Sequence, residues 1–495
     1  MSQAWAADVV VVGAGNAAMC AAIAAAEQGS EVIVLEISSE AEKGGNTTYT
    51  HGSMRFAYNN GEEVRALLPE MTDEEFSMTD FGDYTKEQFF EDVSRLSNYR
   101  TDYDLANILA KESYKVMQWL TSHQVKWIPI YGRQAFKIDG IFKFWGGMVL
   151  EAVGGGKGLV DALHQEAIRL GVRILYNTSG VKLDIANKRI QGIYIREQKQ
   201  DAYIQCKSVV LASGGFHANV EMRTKYLGPG WDSVHTRGCK FNTGAGLKMA
   251  IDVGARTIGN WSGAHAVGGD RYLPNFKEGF QKLSYPFGIL INKEGKRFID
   301  EGEDFRNYTY AKTGKEILKQ PGQYAWQVFD TKGKSFLREE YEGRSVSKVV
   351  ANTLEELVEL MGDVDHEGFL TEVENFNKAV MDVPFDPNML DGKGTEGLRV
   401  PKSNWALPIN EGPFVAYAIG CGITFTYGGL HITKKAQVLH EDTTPIEGLY
   451  AAGEIVGGIY YDNYPGGAGL TSGSVFGKIA GSQAAKYVQA EYQVK

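Results

Sequence analysis

The sequence predicts an α/β protein in which a domain built around a parallel sheet comes from two separated stretches of chain and holds an inserted α+β domain. Three observations predict it: a β-branched run followed by a glycine turn near the start, a second strand-to-turn pattern near the end, and an irregular, aromatic-rich stretch between them. A chain of 495 residues is also long enough for two packed domains. We place the sheet domain at residues 1–258 and 425–495 and the inserted domain at 259–424.

The first 36 residues predict a βαβ unit. Asp8–Val12 is a β-branched run, which is typical of a strand buried on both faces. The turn Gly13–Ala18 and an alanine-rich helix follow, and Glu31–Glu36 reads as a second buried strand. This is the Rossmann dinucleotide-binding pattern, with an alanine in the place of its third glycine.

The glycine turn predicts a site for a dinucleotide. Gly13 and Gly15 permit a tight turn, and the helix N-terminus behind them favours the anionic pyrophosphate. Glu36, 23 residues after Gly13, stands where a carboxylate accepts hydrogen bonds from an adenosine ribose. The fingerprint alone does not separate FAD from NAD.

Four segments resemble the fumarate reductase/succinate dehydrogenase flavoprotein family. Lys43–Thr47 is similar to the segment beside the flavin, and Ala212–Phe216 to a cofactor-contacting turn. Leu449–Glu454 is similar to the second FAD-binding strand, and Gly466–Gly473 to the loop and helix start against the isoalloxazine. The resemblance implies a Rossmann-like FAD-binding domain with an inserted α+β capping domain that covers the substrate. The predicted cofactor-binding residues are Gly13, Gly15, Asn16, Ala17, Ala18, Glu36, Gly44, Gly45, Asn46, Thr47, Ala212, Gly214, Gly453, Glu454, Gly467, Leu470, Thr471 and Ser472.

The resemblance also implies how FAD is held and what it does. Members that attach FAD covalently have a histidine where this chain has Asn46, and His51 is out of register, so we expect noncovalent FAD. The implied reaction moves a hydride between a carbon and flavin N5. Because an unactivated C–H is a weak acid, the substrate must carry a neighbouring carboxylate or carbonyl.

The implied catalytic residues are Arg306, His265 and Tyr464. Arg306 matches the family's proton-passing arginine, allowing one inserted residue after the hairpin-like segment Leu290–Glu301. A guanidinium is a poor base unless it is desolvated and flanked by cations, so this role rests on the resemblance. Ala264-His265 resembles the substrate-contacting histidine, and the Tyr464 loop is expected to position the substrate.

Departures from the family pattern bear on the substrate. Members that act on fumarate or succinate have a histidine in the stretch Ile423–Gly429, which here has none, and an arginine clamp where this chain has Tyr464. Their acid/arginine proton relay is also absent, with Gln281 and Ser284 near those positions. Fumarate and succinate are therefore poor substrate candidates.

Two groups of relatives fit these departures better. Tricarballylate dehydrogenases have a similar Tyr-Pro-Gly-Gly loop and resemble this chain at residues 131–137, 142–147 and 305–312, which implies oxidation of a tricarboxylate to cis-aconitate. 3-Ketosteroid dehydrogenases also have a Tyr-Pro-Gly loop, with tyrosines that polarise a ketone, and another enone or carboxylate oxidoreductase stays open as an alternative. A flavin electron carrier without a substrate is a third reading, against which the large inserted domain argues.

The candidate carboxylate-binding cations are Arg133, Lys137, Lys143 and Arg306. The tyrosines open to the ketone reading are Tyr427, Tyr460, Tyr461 and Tyr464.

Composition restricts partners and location. The net charge of −10 does not support a nucleic-acid partner, and no apolar run of spanning length or signal peptide is expected. Four scattered cysteines without CxxC spacing predict a reducing, cytoplasmic setting and no structural metal or iron–sulfur cluster. Electrons should therefore pass to a separate acceptor, such as another protein, a quinone or oxygen.

Overall fold

The computed structural model describes residues 5–273, 283–343 and 345–493. The elements before residue 259 are β1 (Trp5–Val12), α1 (Asn16–Ala26), β2 (Val32–Leu35), β3 (Ser53–Met54), α2 (Gly61–Arg65), α3 (Asp73–Ser77), β4 (Thr79–Asp80), α4 (Lys86–Leu96), α5 (Tyr103–Ser122), β5 (Trp127–Pro129), α6 (Tyr131–Gln134), β6 (Ala135–Ile138), β7 (Ile141–Phe144), β8 (Leu150–Ala152), α7 (Gly155–Arg169), β9 (Arg173–Leu175), β10 (Thr178–Ala186), β11 (Arg189–Glu197), β12 (Gln200–Leu211), α8 (Val220–Leu227), β13 (His235–Thr236), α9 (Ala245–Ile251) and β14 (Thr257–Ile258). The later elements are β15 (Ala264–Asp270), β16 (Ile289–Ile291), α10 (Arg306–Leu318), β17 (Tyr324–Phe329), α11 (Thr331–Lys334), β18 (Lys348–Ala351), α12 (Leu354–Met361), α13 (His366–Ala379), β19 (Phe414–Thr426), β20 (Gly429–Leu430), β21 (Gln437–Leu439), β22 (Pro445–Ala451) and α14 (Ala468–Gln493).

An eight-stranded sheet joins the two ends of the chain. Its order is β10-β11-β22-β12-β1-β2-β9, with β21 beside β22. β1 runs parallel to β2 and β12, and β22 from the last segment runs parallel to β12. The predicted βαβ unit and the two-segment sheet domain are therefore confirmed. The strands are continuous apolar runs because both faces are covered, and residues 9–11 have no exposed surface.

Helices α1 and α14 pack against each other closely. A Cβ atom at Gly477 would lie 2.4 Å from the carbonyl oxygen of Ala17, so glycine is required at this crossing. α14 begins at residue 468, directly after the glycine loop. β10 and β11 form a hairpin that turns at Asn187-Lys188, and these residues have positive φ values of 51° and 59°, as a tight two-residue hairpin turn requires.

A second, six-stranded sheet forms the core of the inserted region. β19 lies at its centre, with β13 and β17 on one edge and β15 and β18 on the other, and β16 pairs with β17. Helices α12 and α13 cover one face through an apolar cluster that contains Phe369 and Phe376. β19 runs across the predicted boundary at residues 424/425, and β13 enters this sheet from the first segment.

Residues 60–130 are mainly helical and contain α2–α5. Within residues 5–273, 283–343 and 345–493, no helix has both the length and the apolar character needed to cross a bilayer.

Candidate active site

A large cavity extends from the carboxyl ends of β1, β2 and β12 to the end of β19. Its empty volume, including solvent at the mouth, is about 2050 Å³. Most of the predicted site residues, scattered over 460 positions of sequence, meet in its wall. The predicted residues that line it are Gly13, Gly15, Asn16, Ala17, Glu36, Gly45, Asn46, Thr47, Ala212, Gly214, His265, Gly453, Glu454, Tyr464, Gly467, Leu470 and Ser472.

The nucleotide end of the cavity is formed by the βαβ unit. A Cβ atom at Gly13, where φ is +105°, would lie 2.5 Å from the carbonyl oxygen of Ala212, so only glycine fits this turn. The N-terminus of α1 faces the cavity, and Thr47 Oγ1 accepts the Asn16 amide at 3.0 Å. The next amides of the first turn have no carbonyl four residues earlier within the helix, and they are left for an anion.

Glu36 directly follows β2 and lines the same cavity. One carboxylate oxygen, Oε1, accepts the amide of Ser38 at 2.8 Å. Burial raises the pKa of the Glu36 carboxyl, while hydrogen bonds from Ser38 and the backbone of Ala14 oppose that rise. The carboxylate is therefore anchored at the strand end that the fingerprint predicts for ribose recognition.

Asn46 and Glu454 join distant segments in the middle of the cavity. Asn46 Nδ2 donates to the carbonyl of Thr424 at 2.9 Å, and its Oδ1 accepts the amide of Cys239 at 2.8 Å. Glu454 accepts from Asn242 Nδ2 at 3.1 Å and from the amide of Thr426 at 3.0 Å. Asn242 and Thr426, which the sequence reasoning missed, thus hold the end of β19 against the glycine turn that follows β22.

Among the described residues, four of those predicted to bind the cofactor or to act in catalysis lie outside the cavity lining. Ala18 is fully buried within α1, and Gly44 forms the left-handed turn before the segment at 45–49, with φ of +98°. Thr471 donates to the carbonyl of Arg55 at 2.7 Å, so it supports the glycine loop from behind. The fourth, Arg306, lies at the substrate end.

These features fit FAD. The glycine turn leaves space for a pyrophosphate at the start of α1, Glu36 offers an acceptor for the ribose, and the cavity continues past Asn46 to the loop at Gly467–Ser472. An elongated cofactor with an adenosine at one end and a flavin at the other matches this arrangement.

The substrate end is an aromatic wall around His265. The imidazole stacks on Phe425, with ring centroids 5.3 Å apart, and meets the Tyr464 ring edge-on at 5.0 Å. The hydroxyl groups of Tyr310 and Tyr464 are 2.7 Å apart. Burial raises the pKa of both tyrosines, so both hydroxyls keep their protons at neutral pH.

Arg306, the first residue of α10, is buried outside the cavity lining. Its Nη1 donates to the carbonyl of Leu283 at 3.0 Å, and Leu283 lines the cavity. The guanidinium carbon lies 5.0 Å from the centre of the Trp145 ring. Burial, together with the neighbouring cation Arg338, lowers the pKa of Arg306 to about 9. The desolvated, cation-flanked environment in which a guanidinium can act as a base is therefore present.

The predicted carboxylate-binding cations separate into two groups. Arg133 lines the cavity beside His51, with Nη1 and Nδ1 3.1 Å apart, and it pairs with Glu151. Lys137 and Lys143 are instead exposed on the β6–β7 hairpin. Neither lysine lines the cavity.

Ser284 and Gln281 stand near the positions where the sequence predicts that the proton relay is absent. Ser284 is buried, and its hydroxyl donates to Phe336 and accepts the Arg338 amide. It therefore fastens the loop that carries Arg338. Gln281 lies outside the described residues.

Sequence reasoning missed a second cation of the wall, Arg237. It lines the cavity, and its Nη1 donates to Thr424 Oγ1 at 3.1 Å. Gln134 and Asn307 line the same end and are joined by a 2.9 Å hydrogen bond. No local pattern marks Arg237, because it follows a two-residue strand whose partner is β19.

The comparisons with known proteins agree with the fold and the cavity. The sequence pattern of the FAD binding domain family matches residues 8–470. Fold, cavity and family match together define an FAD-dependent oxidoreductase. Within that class, the chain belongs to the fumarate reductase/succinate dehydrogenase flavoprotein family.

Individual relatives differ in length and in their named substrates. The NADH:fumarate oxidoreductase of Klebsiella pneumoniae is 30% identical over 490 residues, 97% of this chain but 48% of that protein, so the chain spans about half of it. The open conformation of a flavocytochrome c3 fumarate reductase matches with a TM-score of 0.73 and 26% identity, covering 98% of this chain and 79% of that one. A 3-ketosteroid-Δ4-(5α)-dehydrogenase from Rhodococcus jostii matches with a TM-score of 0.73 and 22% identity over 98% of each chain, a likeness of fold.

Proposed function

We propose that this protein oxidises a carbon–carbon bond flanked by carboxylates, taking a tricarballylate-like tricarboxylate to a cis-aconitate-like product with noncovalently held FAD. The observation that carries the proposal is the pair of guanidinium groups, Arg133 and Arg237, in the same cavity wall as His265 and Tyr464. Arginine matches carboxylates in bidentate geometry, and two cations suit a substrate with more than one carboxylate.

Bound FAD supplies the hydride acceptor. The arginines hold the substrate carboxylates, while the packed rings of His265, Phe425 and Tyr464 exclude water from the reacting bond. Arg306 takes the proton that leaves the carbon next to a carboxylate, which its lowered pKa permits. Arg306 does not line the cavity, so for this step its contact with Leu283, which does, has to change when the substrate binds.

The site supports noncovalent binding because Asn46 presents a carboxamide, not a nucleophile, to the middle of the cavity. The four cysteines are all buried and unpaired, which supports the predicted cytoplasmic location. The electron acceptor that reoxidises the flavin is proposed to be a separate carrier, quinone or oxygen.

One observation favours a second candidate, a ketone substrate. The hydroxyls of Tyr310 and Tyr464, 2.7 Å apart, form a pair that could polarise a carbonyl, as in a 3-ketosteroid-type reaction. The third reading, a flavin carrier without a substrate, gains no support from a cavity lined by two guanidinium groups and an aromatic wall.

An anaerobic mixing experiment separates these candidates. The oxidised holoprotein is mixed with tricarballylate and, separately, with a 3-ketosteroid, and the flavin absorbance is followed. Bleaching by tricarballylate supports the proposal, and bleaching only by the steroid supports the second candidate. No bleaching by a broad panel of acids and ketones would favour the carrier.

A variant tests the proton role of Arg306. Arg306→Gln is expected to keep FAD bound but to slow flavin reduction at least about 100-fold, the usual contribution of a general base. Lys312→Gln, a change on the surface of the same helix, should reduce at the normal rate. A normal rate in Arg306→Gln would remove Arg306 from the reaction.

A further inference from the structure

The family's carboxylate-clamping arginine is absent at position 464, yet a buried cation reaches the same place from another element. Arg237 directly follows β13, which pairs with residues 422–423 of β19, and the Arg237 amide donates to the carbonyl of Ile423 at 2.8 Å. The side chain then turns along β19 to Thr424, whose Oγ1 accepts from Nη1 at 3.1 Å. Both contacts fix the guanidinium relative to the strand that carries Phe425.

The strand pairing places Arg237 and His265 on opposite sides of β19. β15, which contains His265, also pairs with residues 422–423 of β19, and a strand has only two edges. Arg237 and His265 therefore approach the substrate end from either side of Phe425. Arg237 and His265 are therefore the two arms of a clamp, and β19 supports both of them.

Tyr464 and Tyr310 lie within the electrostatic reach of Arg237. Burial lowers the pKa of Arg237, and the two tyrosines oppose that change. In turn, Arg237 opposes the rise that burial causes in the pKa of each tyrosine. The positive charge of Arg237 thus acts on Tyr464, which stands where relatives acting on fumarate or succinate have an arginine.

We propose that Arg237 is the specificity-determining residue that clamps a substrate carboxylate. From its position after β13, it performs the role that an arginine at the position of Tyr464 performs in those relatives. The relocated charge leaves position 464 to a neutral phenol. Arg133, in the same cavity wall, offers a second guanidinium for a further carboxylate of a larger acid. This inference rests on the proposed function for the identity of the substrate, but not for the binding of a carboxylate.

Binding of two unsaturated acids to the oxidised holoprotein tests the clamp without turnover. cis-Aconitate and itaconate share a dicarboxylate frame, and itaconate lacks one carboxylate. Their dissociation constants are measured from the perturbation of the flavin absorbance. Arg237→Gln is expected to weaken cis-aconitate binding about 100-fold through loss of a charge-assisted bidentate pair. Arg237→Lys, which keeps the charge, should lose about 10-fold or less.

A second pair of variants tests the relocation itself. Adding Tyr464→Arg to Arg237→Gln should recover at least about 10-fold of the lost affinity, because it restores one cation to the same space. Arg256→Gln, an exposed arginine outside the active-site cavity, should bind cis-aconitate as the unchanged protein does. The FAD-to-protein ratio and thermal unfolding of each variant show whether a loss of binding arises from misfolding.

The outcomes separate the clamp from the proposed reaction. Equal cis-aconitate binding by Arg237→Gln and Arg237→Lys, at equal FAD content, would overturn the clamp while leaving the reaction standing. Binding that depends on the charge at 237 in a protein that tricarballylate does not reduce would support the clamp and refute the reaction. If the unchanged holoprotein binds neither acid, both proposals are wrong.

Discussion

Replacing Gly13 by alanine tests whether the glycine turn is required by contact as well as by conformation. The backbone there has φ of +105°, which costs an L-residue about 1–2 kcal/mol. The new Cβ would also lie 2.5 Å from the carbonyl oxygen and 2.9 Å from the carbonyl carbon of Ala212, and overpacking of this kind costs about 1–3 kcal/mol. Gly13→Ala should therefore destabilise the FAD-bound protein by about 2–5 kcal/mol.

The matched control lies at the other end of the same helix. Gly29 also has positive φ, +80°, but a Cβ there meets nothing within 4 Å, so Gly29→Ala should cost only the backbone term of about 1–2 kcal/mol. Urea unfolding gives the free energy of each variant, and quenching of FAD fluorescence gives its affinity. FAD affinity should fall at least about 10-fold in Gly13→Ala alone. Equal stability and equal FAD affinity in the two variants would refute the contact argument.

Further predictions concern the substrate end and the mode of FAD binding. Because burial and Arg338 lower the pKa of Arg306 to about 9, its neutral, proton-accepting fraction grows with pH. Stopped-flow flavin reduction should thus accelerate about tenfold per unit from pH 7 and level off near 9, and a flat profile would contradict the role. Arg338→Gln removes the neighbouring cation, so the levelling should move to higher pH in the same assay. Tyr464→Phe loses the hydrogen bond to Tyr310 and should lower the free energy of unfolding in urea by about 0.5–1.5 kcal/mol, whereas no change would show that the pair adds nothing. Acid precipitation should leave all the FAD in the supernatant, since Asn46 offers no nucleophile, and yellow protein in the pellet would disprove noncovalent binding.

The nucleotide end could be predicted because its determinants are local. The valine run, the glycine turn and Glu36 all lie within one βαβ unit, so their spacing along the chain determines their spacing in space. The later glycine segments could be placed only by resemblance, since β22 joins the sheet from the far end of the chain. The cavity brings both sets together, although their binding roles stay predictions.

The substrate end depends on long-range pairing that no local pattern records. Arg237 and Thr424 are 187 residues apart, and their contact exists because two residues of β13 pair with β19. The resemblance predicts Arg306, but its contact with Leu283 depends on a segment that precedes it by 23 residues. Lys137 and Lys143 are the same kind of candidate as Arg133 in the sequence, and only their exposure in the folded chain separates them from it.

The course of β19 determines which segments could be exchanged between members of this family in chimeric proteins. The strand is 13 residues long and contributes to the inserted sheet at one end and to the cavity at the other. A chimera that replaced residues 259–424 as a block would cut this strand two residues before its end and would leave β13 paired with a foreign neighbour. A block taken from β13 through Thr426 would instead transfer both arms of the clamp along with their shared support. Substrate preference should therefore be inherited with that longer block, and recombination libraries should be cut there.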